Sequence, residues 1–148
     1  MLPADHVWRL LLAAGLGAAI GLEREYRQKP AGLRTNILIA VGSALFTIIS
    51  LEMTKSVGDT SRVAGQIVTG IGFLGGGAIM RNRDSVHGMT TAATIWANAS
   101  IGVAAGAGQY MLASFATALT LFVLVVLPPI ESYFERRAGW PDRHQSPK

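Results

Sequence analysis

GMTTAATIWANASIGVAAGAGQYMLASFATALTLFVLVVLPPI, residues Gly88 to Ile130, runs for forty-three residues without an Asp, Glu, Lys or Arg. As a single helix it would be about 65 Å long, twice the hydrocarbon thickness of a bilayer. The stretch must therefore fold back and cross twice. Gly106, Gly108 and Gln109 supply the turn signal within Gly102 to Gln109, which leaves one span at about 91–105 and another at about 110–127. Pro128 and Pro129 are expected to end the second, because neither ring can donate to a helical ladder.

Working outward, three more uncharged windows precede this one: Leu10 to Leu22, Thr35 to Leu51 and Val63 to Met80. They give spans at about 4–22, 34–51 and 63–80, each near the lower length limit for a crossing. The expected fold is all-α, a polytopic bundle of five transmembrane helices forming one domain over 1–138. Ile130, Tyr133 and Phe134 share a face after the prolines, which suggests a piece lying along the interface. Residues 139–148 read as a short cytoplasmic tail. Leu10 to Gly21 has the look of a signal-peptide core, but no basic segment precedes it and another span follows, so it reads as a retained first helix.

Orientation comes from the cations. With the N-terminus outside and the C-terminus inside, Arg24, Arg27, Lys29, Arg34, Arg81, Arg83, Arg136, Arg137, Arg143 and Lys148 face the cytoplasm, and Arg9, Lys55 and Arg62 face out. Ten against three is a decisive bias under the positive-inside rule. The net charge of +4 thus belongs to loops beside lipid headgroups, and no groove or stripe for nucleic acid is formed.

The chain has no cysteine, which excludes disulfides, thiolate metal sites and thiol catalysis. No serine stands in a nucleophile-elbow context, and His6, His87 and His144 lack a nucleophile or acidic partner. None of the nine acidic residues falls inside an expected span, so neither a proton relay nor a carboxylate-based Mg²⁺ site is built into the bilayer. No enzyme, cofactor or metal site is expected. Gly70, Gly72 and Gly75 match a dinucleotide-binding pattern by accident, since no strand leads into them and no acidic residue follows at the required distance.

Those glycines have another use. Gly72 with Gly76, Gly17 with Gly21, and Gly102 with Gly106 are each four apart, a spacing that lets helix axes approach closely within or between subunits. The run Gly75, Gly76 and Gly77 weakens a helix, so either another helix crosses there or the third span is broken at depth. Polar residues also form stripes: Asn36, Ser43 and Thr47 on the second helix, Gln66 and Thr69 on the third, Thr91, Thr94 and Asn98 on the fourth. They serve interhelical hydrogen bonding or line a hydrated cleft for a cation or small solute.

Three segments in fixed order carry a resemblance. Glu23-Arg24-Glu25 with Lys29 to Asn36 (KPAGLRTN), then Arg62 to Gly77 (RVAGQIVTGIGFLGGG), then Gly88 to Trp96 (GMTTAATIW) resemble the transmembrane domain of the MgtC/SapB family over roughly residues 7 to 127. The resemblance implies a multi-pass protein of the bacterial inner membrane, associated with growth when magnesium is scarce and, in pathogens, with survival inside host cells. One branch is linked to restraint of the F-type ATP synthase. The virulence branch continues into an ACT-like cytoplasmic domain, for which no counterpart is expected in the residues after the last span. It also carries Asn where this chain has Thr90 and Cys where it has Ala97.

The family's motif positions map onto Glu23, Arg24, Gly32, Arg34, Thr35, Gln66, Gly70, Gly72, Gly75, Thr91 and Trp96. Asn36, Thr69, Gly76 and Asn98 join them as candidates from the stripes and spacings above. Glu23 and Arg34 are expected to pair and brace a docking surface of inner loops. Two functions stay open: a non-enzymatic regulator of magnesium-limitation or stress adaptation, and a cation transporter or channel with a path between helices 2, 3 and 4. The expected partners are the lipid bilayer, another membrane complex, or a second copy of the chain.

Overall fold

The computed structural model describes residues 3–53, 61–81 and 85–138. Lys55, Asp59, Arg83, Asp84 and the tail 139–148 lie outside the described residues. Five helices follow one another: α1 (Ala4–Tyr26), α2 (Leu33–Met53), α3 (Ser61–Gly77), α4 (Met89–Gly106) and α5 (Tyr110–Ala138). Between α3 and α4 sits a short antiparallel ladder of β1 (Met80–Arg81) and β2 (Val86–His87), with Met80 opposite His87. The all-α expectation holds apart from that ladder, which takes up Met80, the last residue assigned to the third span.

α1, α2 and α5 over Tyr110–Phe134 are long and apolar enough to cross a bilayer. α3 and α4 have 17 and 18 residues, about 26 and 27 Å of helix. Asn98, Thr91 and Thr94 lower the apolarity of α4, and all three are turned into the protein rather than toward its surface.

The centre of the bundle is α1, α2 and α4, joined by a core of small side chains. Ala13, Ala40, Ala44 and Ala105 are fully buried beside Ile20 and Ile101. Glycine permits the close crossing. A Cβ on Gly17 would stand 2.8 Å from Ala40 Cβ and from the Asn36 carbonyl oxygen, and one on Gly106 would stand 2.5 Å from the Ala44 carbonyl oxygen. Gly21 against Leu33 and Gly102 against Ala40 are packed as tightly. Two of the three glycine pairs therefore act inside the subunit, where van der Waals contact replaces the hydrophobic effect as the cohesive term. A second cluster, Ile39, Ile67, Ile71, Ile95 and Ala99, attaches α3 to α4 and α2.

One expectation needs correction, and two alternatives are narrowed. The helix of α5 continues through Pro128 and Pro129 to Ala138, so no separate interfacial piece begins there. Proline at 129 removes the donor that would serve the Val125 carbonyl four residues back, and Arg27 Nη2 donates to that oxygen at 3.4 Å instead. Next, α3 is unbroken, and its glycine run forms its final turn. A Cβ on Gly75 would stand 3.5 Å from the Ala92 carbonyl oxygen of α4, and Ala78 and Ile79 close the end through bonds to Gly75 and Gly76. Finally, of the contacts within or between subunits expected of Gly72 and Gly76, none within the subunit is seen among the described residues: both are exposed, with no atom within 4 Å of a built Cβ.

Candidate functional site

At the arginine-rich end of the bundle, the last turn of α1 carries a compact ion cluster. Arg24 donates to Glu23 through Nε at 2.6 Å and Nη2 at 2.9 Å, and Arg27 Nε reaches the same carboxylate at 2.8 Å. The Glu23 side chain is 9% exposed and that of Arg24 only 4%. A guanidinium so far from water is tolerable only with such a partner. Two expectations change here. Glu23 lies within a membrane-length helix rather than in a connector, and it pairs with Arg24 and Arg27 rather than with Arg34. Arg34 is exposed and makes no ion pair among the described residues.

Glu25 points the other way. Its Oε2 accepts from the Leu33 N–H at 3.1 Å, placing a negative charge at the N-terminus of α2, where the helix dipole favours it. The same oxygen lies against Gly32, where a Cβ would collide with it. In the connector, Gln28 and Ala31 take positive φ of 53° and 58°, a region uncommon for residues with a side chain. Asn36 holds this loop by donating its Nδ2 to the carbonyls of Ala31 and Gly32.

Asn36 continues the network into the core. Asn98 Nδ2 donates to the Asn36 backbone carbonyl at 2.7 Å and to Asn36 Oδ1 at 3.1 Å, and both residues are fully buried. Asn98 Oδ1 makes no hydrogen bond among the described residues. The rest of the α2 and α4 stripes is also buried: Thr47 donates to the Ser43 carbonyl, Thr94 to the Thr90 carbonyl, and Thr91 is 4% exposed. Asn36 and Asn98 meet across the α2–α4 contact, whereas Thr47 and Thr94 bond within their own helices.

α3 differs. Gln66 and Thr69 are exposed, and Thr69 bonds to the Gly65 carbonyl of its own helix. The three stripes thus do not converge on one channel. α3 stands away from α2, leaving a groove of about 700 Å³ lined by Thr35, Leu38, Gly42, Ser43 and Phe46 on one wall and by Gln66, Gly70, Ile71 and Leu74 on the other. Trp96 is more than half exposed on α4.

The opposite end holds a cluster the sequence reading missed. Arg9, counted above only as an outward-facing cation, donates to the Gly106 carbonyl at 2.8 Å, at the C-terminal end of α4, and pairs with Asp5 at 2.5 Å. Tyr110 donates to Asp5 at 2.7 Å, and His6 meets Glu52 at 3.3 Å. The spacing of Asp5 and Arg9 was a legible signal; Tyr110 and Gly106 come from far along the chain and gave none. Among the described residues, no group of three or more His, Cys, Asp or Glu side chains is placed to hold a metal ion.

A family model described as the MgtC family matches residues 10–133. The chain is 50% identical over 127 residues to "Protein MgtC" of Salmonella typhimurium strain LT2, covering 86% of this chain and 54% of that protein. It is 46% identical over 130 residues to the "Putative magnesium transporter YhiD" of Escherichia coli K12, covering 83% and 60%. To the uncharacterized protein slr0014 of Synechocystis it is 40% identical over 133 residues, covering 90% and 56%. The chain thus spans little more than half the length of these relatives. No solved structure matches it.

Proposed function

The chain belongs to the MgtC family, and from that premise we propose that it is a five-span inner-membrane regulator of adaptation to magnesium limitation, acting without catalysis by docking on another membrane complex. Its N-terminus faces out and its arginine-rich connectors face in. The docking elements are the inner loops around Arg24, Arg27 and Arg34 and the uncovered face of α3.

The observation that carries this reading is the unequal use of glycine. In α1 and α4 the small-residue pairs are consumed by contacts inside the subunit, whereas Gly65, Gly72 and Gly76 of α3 have open space where a side chain would be. Each weakens the helix by about 1 kcal/mol relative to alanine. A second helix crossing that face gives the weakness a compensating contact. Replacing Gly72 or Gly76 by leucine is expected to abolish co-purification of the partner complex under mild extraction, with ion flux unchanged. Wild-type protein that carries no membrane protein through such a purification defeats the proposal.

A cation transporter is the second reading, favoured by the printed name of the Escherichia coli relative. It needs a path along Gln66, Thr69, Thr91 and Asn98. Asn98 is buried against Asn36 of α2 and Thr91 is buried as well, while Gln66 lines the α2–α3 groove and Thr69 is exposed on α3, so the four do not line one passage in this arrangement. Magnesium flux into proteoliposomes above that of empty vesicles would revive it.

A further inference from the structure

A concavity inside a bilayer is filled, and the groove between α2 and α3 has a shape that selects its occupant. On α2 it extends from Thr35 to Phe46 and on α3 from Leu74 to Val63. Eleven residue steps are about 16 Å of helix, close to half the hydrocarbon thickness. A second transmembrane helix needs the full thickness, and this groove serves half of it. One acyl chain of a single leaflet needs about this length. Leu38, Ile39, Phe46, Ile71 and Leu74 supply an apolar lining.

Charge marks one mouth. Arg34 adjoins Thr35, the lining residue at that end, and both are exposed; Lys29, in the preceding connector, is exposed as well. Neither cation has an ion-pair partner among the described residues, in contrast to Arg24 and Arg27, which Glu23 occupies. Arg62 adjoins the lining residue Val63 at the other end and is exposed.

We propose that this groove binds an anionic phospholipid, one acyl chain lying between α2 and α3 and the phosphate meeting Arg34. The site requires a bilayer around the protein but neither the regulator nor the transporter reading. Gly42 and Gly70 line opposite walls, and each has open space where a side chain would be, so a phenylalanine at either position fills the groove without colliding with the bundle.

The test is native mass spectrometry of the full chain, delipidated in detergent, with palmitoyl-oleoyl phosphatidylglycerol or phosphatidylcholine added. Wild type is expected to bind phosphatidylglycerol about fivefold more tightly than phosphatidylcholine, the scale of one basic residue at a headgroup. Gly42→Phe and Gly70→Phe each weaken binding at least about tenfold, with helical circular dichroism unchanged. Arg34→Ala abolishes the preference between headgroups, whereas Arg62→Ala and Gln66→Leu keep it. Equal binding of the two lipids by wild type overturns the proposal. So does wild-type binding by both phenylalanine variants, or loss of the preference in Arg62→Ala rather than in Arg34→Ala. Loss of the preference in Gln66→Leu, with Arg34→Ala keeping it, overturns the proposal as well, because the amide and not Arg34 then reads the headgroup. Should the phenylalanine variants misfold, the two arginine variants decide the matter.

Discussion

Asn98 joins two helices through a single amide, and its worth can be bounded. Both oxygens of Asn36 accept from Asn98 Nδ2, so Asn98→Leu, nearly isosteric, removes one interhelical donor and leaves two buried acceptors without it. In lipid such bonds are worth about 0.6 kcal/mol on average and up to about 1.7 kcal/mol. We expect Asn98→Leu to lower stability by about 1 kcal/mol in mixed-micelle unfolding, and a double-mutant cycle with Asn36→Leu to return a coupling of about 0.6 to 1.7 kcal/mol. Asn36→Leu removes Oδ1 but keeps the backbone carbonyl, so a coupling of zero shows that the side-chain bond adds nothing to the one made by the backbone. The stripes that contain these residues were legible as periodicity. Their pairing was not, because a stripe does not say which helix faces it. Glu23 shows the same limit. Its i,i+4 relation to Arg27 was open to reading, yet the pair with Arg24 joins neighbours that ordinarily diverge on a helix, and only burial turns the guanidinium back onto the carboxylate.

At the scale of the element, glycine spacing predicted close crossings and could not say which helices would use them. Gly102 and Gly72 make the contrast testable. A methyl group at Gly102 meets the Ala40 backbone and Ser43 Cβ, whereas at Gly72 it meets nothing. Gly102→Ala is therefore expected to destabilise the isolated protein by about 1 to 3 kcal/mol, the usual penalty of overpacking. Gly72→Ala is expected to stabilise it by about 1 kcal/mol through helix propensity alone. Denaturant midpoints of the two purified variants, shifted in opposite directions, are the check; shifts in the same direction refute the assignment of the α3 face as uncovered. α5 teaches a related point. Two adjacent prolines read as a stop because the ladder loses donors, but the sequence does not reveal that Arg27, ninety-eight positions away from Val125, restores one of them. The stop signal failed for a tertiary reason, whereas the turn at Gly108, with φ of 79°, was local and read correctly.

For the whole molecule, the open quantity is how many helices cross. The positions of the five helices were legible because uncharged windows of bilayer length are hard to produce for any other purpose. Crossing itself depends on α3 and α4, which are the shortest helices and carry the most polar stripe. If both cross, Arg81 lies on the same side as Lys29, and the cations divide ten against three. If the pair dips in and returns, Arg81 and Arg83 change sides and the division becomes eight against five, a far weaker bias for a rule counted over short loops. About 26 Å of helix is a few ångströms short of an average bilayer, a mismatch that local thinning meets at a fraction of a kcal/mol per ångström, so length does not forbid the crossing and charge favours it. Because the chain has no native cysteine, single substitutions Lys29→Cys, Arg81→Cys and Gln109→Cys, all at exposed positions, report the topology directly. With a membrane-impermeant maleimide on intact spheroplasts, Gln109→Cys should label at once, and Lys29→Cys and Arg81→Cys only after permeabilisation. Labelling of Arg81→Cys together with Gln109→Cys in intact spheroplasts means three crossings, and it carries the β1–β2 ladder to the outer side, away from the cluster of Glu23, Arg24 and Arg27.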